Sequence, residues 1–220
     1  MDLRWNGDTP CPPKRELGFN KSLHDWPRKK HQPSGHQRCI MTQLGTLQFD
    51  KNPFDLVETN IYGIFELHGH MHWFIELFPP VEDNYIMFNA LVFDNIYSPR
   101  QLSNTMYMTD DDSDDLGEHT VLVNGQDRFL KSVEMSFGMW QTTKQTIELT
   151  GKGIIEKWGN LPEIPYKFNS ALEFKGINIF ETSQADAQKF VDTYLQDIKN
   201  HIKIKFENVT SGLQAVISGF

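Results

Sequence analysis

Residues 64–77, Ile64-Phe65-Glu66-Leu67-His68-Gly69-His70-Met71-His72-Trp73-Phe74-Ile75-Glu76-Leu77, alternate apolar and polar side chains over most of their length. On an extended chain Phe65, Leu67, Met71, Trp73, Ile75 and Leu77 share one face, and Glu66, His68, His70, His72 and Glu76 the other. Period two is the signature of a strand, because successive strand side chains leave opposite sides of a sheet. Pro79-Pro80 ends the pattern. Two readings stay open. The stretch is one long strand that lines up three imidazoles, or it is a hairpin turning at His68-Gly69, where glycine supplies the positive φ of a tight turn.

Working outward, the same period recurs between turn signals. Residues 85–94 are apolar on both faces and read as a central strand covered on two sides. Residues 120–123 and 128–139 flank Asn124-Gly125, a strong hairpin signal, and Phe129, Val133, Met135, Phe137 and Met139 are expected to alternate inward. Residues 146–157 place Ile147, Leu149 and Ile155 on one side, with Gly151 and Gly153 marking a bulge, bend or close approach. Residues 166–180 align Tyr166, Phe168, Leu172, Phe174 and Phe180. One amphipathic helix follows: Ser183 with Asp186 reads as a capping box, ahead of a stripe of Ala187, Phe190, Val191, Tyr194, Leu195, Ile198 and Ile202. The expected fold is mainly β, with an α+β label also fitting. It is an antiparallel β-sandwich or partly closed barrel of about seven to nine strands with one C-terminal amphipathic helix.

The 220 residues suit one domain with an appendage. Residues 1–40 carry Pro10, Pro12, Pro13, Pro27 and Pro33 among charges and no periodic apolar pattern, so they read as a disordered or non-native extension, with Met41 expected to be the biological start. A single β-rich domain is expected over 41–208, and 209–220 is left as a tail. The net charge of −8 hides an asymmetry, since residues 1–40 carry eight Lys/Arg against four Asp/Glu and the remainder thirteen against twenty-five. An acidic body repels phosphate backbones and anionic membranes, which disfavours nucleic-acid or membrane binding by the main domain and favours a basic protein partner. The two cysteines, Cys11 and Cys39, both precede the expected domain, which argues against a disulfide-stapled scaffold. No apolar run approaches the roughly 18 residues of a membrane span, and a cytoplasmic location is the expectation.

His70, His72 and Glu76 stand at i, i+2 and i+6 on one strand face, a donor set suited to a divalent transition metal. The run His70-Met71-His72-Trp73-Phe74-Ile75-Glu76 resembles the first metal motif of the cupin family, a histidine pair one residue apart followed by a glutamate, although Ile64 and Asp83 stand where that family has glycine. The resemblance implies a further histidine ligand, for which His119 after Gly117 is the nearest candidate, with His68 as outer support or general base.

Asp110, Asp111, Asp112, Asp114, Asp115 and Glu118 form an acidic run. Counted as an EF-hand from Asp110 it lacks glycine at position six and glutamate at position twelve, so it reads as a solvated loop, a weak calcium site or a docking element for a basic partner. Cys11, His31, His36 and Cys39 match no zinc-finger spacing, and Gly151-Lys152-Gly153 lacks the remainder of a phosphate loop. No nucleophile elbow is present. The expected function is non-catalytic binding or protein interaction, such as an acidic inhibitor or immunity-type protein acting on a protein partner or small ligand. The alternative is a cupin-like, metal-dependent enzyme or metal-binding protein using His70, His72, Glu76 and His119.

Overall fold

The computed structural model describes residues 44–65, 69–81, 83–109, 119–180, 182–209 and 212–219. His68, the acidic run 110–118 and the N-terminal region, with Cys11, His31, His36 and Cys39, lie outside the described residues, as do the expectations placed on them. The described part begins with β1 (Gly45–Phe49), β2 (Asn52–Asp55), β3 (Glu58–Phe65), β4 (Met71–Phe78) and β5 (Tyr85–Val92). It continues through β6 (Met106–Thr109), β7 (Thr120–Val123), β8 (Gln126–Arg128), β9 (Leu130–Gln141), β10 (Thr146–Ile155) and β11 (Ile164–Ile179). Helix α1 (Gln184–Tyr194), β12 (Ile202–Val209) and β13 (Gly212–Gly219) complete it.

Strands make up 62% of the described residues, among which there is one α-helix, so the fold is mainly β, and the sheet is a curled, open half-barrel. The main path runs β6-β9-β10-β11-β3-β4-β5-β7-β8. β1 pairs with the first half of β11, and β13 with its last residues, so this 16-residue strand joins most of the sheet. Most pairs are antiparallel, but β3 and β11 run parallel. Inward side chains from all sides form one core, with Leu47, Ile61, Trp73, Ile75, Phe88, Val121, Ile147, Leu149 and Leu172 at most 0% exposed. Among the described residues no helix is long and apolar enough to cross a membrane.

The opening stretch takes the hairpin alternative. β3 and β4 pair antiparallel from Glu58↔Phe78 to Phe65↔Met71, so the continuous 64–77 strand does not form, and Gly69 adopts φ +92 in the connection. Asn124 (φ +50) and Gly125 (φ +76) make the tight turn between β7 and β8, as the dipeptide requires. The expected inward positions of Phe129 and Met139 are corrected, because they are 44% and 61% exposed. Phe129 sits between β8 and β9 with its ring against Trp158. At Gly138-Met139 the β9–β10 register shifts, which moves the inward parity from Phe137 to Trp140. Residues 209–220, left as a tail, contain β13, which pairs with β12 and β11 and buries Ala215 and Ile217.

Gly151 and Gly153 mark a close approach. Phe168 and Tyr166 stand opposite them on β11, and a Cβ on Gly151 would lie 2.3 Å from the Phe168 Cζ. The two bare positions let both aromatic rings lie flat across β10, stacked at 12°.

Helix α1 buries Ala187, Phe190 and Val191, and the chain after it buries Leu195, Ile198 and Ile202. Phe190 meets Phe65 at the end of β3 with ring centres 4.4 Å apart, so the helix covers that end of the half-barrel. Its start is fixed by the Ser183 Oγ, which accepts from the Asp186 amide at 3.1 Å. A Ser183→Ala variant is expected to lose about 1 kcal/mol of stability, read as a lowered urea midpoint at unchanged slope.

Candidate functional site

β4 carries the residues that the sequence singles out. Met71, Trp73, Ile75 and Leu77 fill the core, and His72, Phe74, Glu76 and Phe78 leave the opposite face. That outward face is aromatic rather than polar: Phe74 stacks on Tyr62 with centres 5.1 Å apart, and Phe78 meets Tyr85 at 5.6 Å. Glu76 is 7% exposed and accepts from Asn60 Nδ2 at 2.9 Å, directly across the β3–β4 ladder. His72 is half-buried between Ile64 and Val92, and His70 is exposed in the connection before β4.

His119 takes the other side of the sheet. Its neighbour Thr120 pairs with Met87, the outward partner of Glu76, so alternation turns His119 inward. Its ring lies edge-on to the core residue Phe88 at 5.6 Å, and its Nδ1 accepts from the Asn89 amide at 3.2 Å. The structure therefore brings His72 and Glu76 to one face, leaves His70 in the turn, and does not bring His119 to them. Among the described residues no three His, Cys, Asp or Glu side chains group as a metal site.

A different surface has the shape of a site. A cavity of about 600 Å³ crosses the outer face of β1, β11, β10, β9 and β6, a volume within the range of small-molecule pockets. Two outward rows wall it. In one row, Gln48, Lys167, Lys152, Glu134 and Met108 stand directly opposite one another on successive strands. In the other, Pro165, Ile154 and Ser132 do the same, with Asp50 beside Pro165. The intervening residues Val133, Gly153 and Tyr166 supply the floor. Beneath it, burial raises the Tyr166 phenol far above its ordinary pKa, with Tyr107 adding to the effect. It therefore stays a neutral donor, bonded to the Ser132 carbonyl at 3.1 Å.

One rim of the cavity is β6, which among the described strands pairs with β9 alone. Its outward residues Met106 and Met108 are 59% and 67% exposed, a display of flexible, polarisable side chains on a strand at the end of the described sheet. None of these residues forms a sequence motif. Their common signal is position alone, at outward sites of five strands whose register only the folded sheet sets. Protein-family models, curated proteins and solved structures were compared with the chain, and none matches it.

Proposed function

We propose that this domain is a non-catalytic binding module whose working surface is the outer cavity between β1 and β6. The observation that carries the reading is the cavity itself: about 600 Å³ on the outside of a filled half-barrel, ending at an edge strand with two exposed methionines. Its lining suits binding better than chemistry. The neighbouring ions Lys152 and Glu134 pair at 3.1 Å, so this amine and this carboxylate are engaged with each other. The metal-centre reading has less support, because the further ligand named for it, His119, lies on the side of the sheet opposite to His72 and Glu76, and among the described residues no three His, Cys, Asp or Glu side chains group as a metal site.

The test is a two-dimensional NMR screen of small organic anions, sugars and short peptides. Binders are expected to move amide resonances in β9, β10 and β11, and Ile154→Trp, which fills the cavity, should abolish those shifts. Shifts confined to β4 and its neighbours would overturn the assignment.

A further inference from the structure

We propose that the cavity selects an amphipathic organic anion, with Lys167 holding the anionic head and Ile154 and Met108 the apolar body. The inference rests on the binding reading above and names its ligand class. Lys167 and Lys152 are directly opposite on β11 and β10. Like charges in that relation repel and weaken a sheet, unless something between them carries the opposite charge. Glu134, on the far side of Lys152, satisfies that residue at 3.1 Å. Among the described residues Lys167 forms no ion pair, in a body where acidic residues outnumber basic ones twenty-five to thirteen. Gln48 flanks it on β1, with its side-chain amide donating to the Asp50 carbonyl.

Polarity then falls along the cavity. Three strand steps separate Lys167 from Met108, a span of about 14 Å at the usual strand spacing, and Ile154 and Pro165 line the second row on the way. An anion with an apolar body matches this order: the head pairs with an ammonium that has no ion pair among the described residues, and the body covers half-buried Ile154 and exposed Met108. Two carboxylates share the cavity with such a head: Glu134, paired with Lys152, and Asp50, which opposes it from the second row at the turn after β1.

Octanoate is the probe, titrated into the full chain and followed by NMR and calorimetry beside octanamide, which has the same body without charge, and acetate, which has the charge without the body. Octanoate should bind saturably and at least tenfold more tightly than either, with shifts at Lys167, Ile154 and Met108. Lys167→Gln should weaken octanoate at least tenfold, Asp50→Asn should tighten it, and Lys205→Gln on β12 should leave it unchanged. If octanoate and octanamide bind the cavity equally, or if Lys167→Gln is silent, the anion inference fails while the binding module stands. If no probe and no member of the broader screen moves cavity resonances, both fail.

Discussion

A Trp73→Ala variant is expected to lose about 3–5 kcal/mol of stability, a large fraction of the roughly 5–15 kcal/mol that holds a typical domain together. Trp73 is 0% exposed on β4, a strand paired on both sides, and its indole NH donates to the Ile96 carbonyl at 3.3 Å. Truncation removes the largest fully buried side chain and leaves a void that a sheet fixed on two flanks closes poorly. It also strips the Ile96 carbonyl of its donor. Denaturant unfolding followed by far-ultraviolet circular dichroism gives the measurement, with Trp73→Phe as a milder companion. A midpoint equal to that of the parent chain would mean that the inward face of β4 is wrongly assigned.

The second large effect comes from adding atoms. Gly151→Ala places a Cβ within 2.3–2.8 Å of three ring carbons of Phe168, so the ring must leave its seat. The expected cost is about 1–3 kcal/mol. Because the obstruction is a side chain, Phe168→Leu in the same molecule should return part of that loss, with a coupling of about 0.5–3 kcal/mol in a double-mutant cycle. Gly153→Ala is the contrasting case. Its new Cβ would sit 2.1 Å from the Ser132 carbonyl oxygen, a backbone atom, so trimming Tyr166 should not rescue it. Additive losses in the Gly151/Phe168 cycle would show that the ring does not depend on the bare position.

These two sites also show what the sequence makes legible. The inward residues of β4, the tight turn at Asn124-Gly125 and the Ser183 cap are local statements, written by period two, by residues that tolerate positive φ and by one hydroxyl three residues from an amide. The special status of Gly151 and Gly153 is legible as well, but its cause is not, since the rings that need the space arrive from a separate strand. The same limit governs the candidate site. Histidines crowded into residues 68–72 draw attention by composition, yet sheet parity sends His119 and Glu76 to opposite faces, and His70 lies in the connection before β4 rather than on the strand with His72. The row from Gln48 to Met108 exists only through four separate strand registers, and no window along the chain contains it. Phe129 and Met139 mislead for a related reason: one lies between strands and the other within a bulge, where alternation resets.

The parallel seam between β3 and β11 governs how the chain reaches this state. Asn60 and Glu173 are register partners more than a hundred residues apart, whereas β4 pairs with β3 and β5 with β4, and likewise β10 with β9 and β11 with β10. Two meanders can each assemble through short loops, but joining them closes a long loop whose entropy must be met before the seam returns any contact. β1 and β13 add their pairing to the same strand, so β11 gathers the long-range contacts that the two meanders lack on their own.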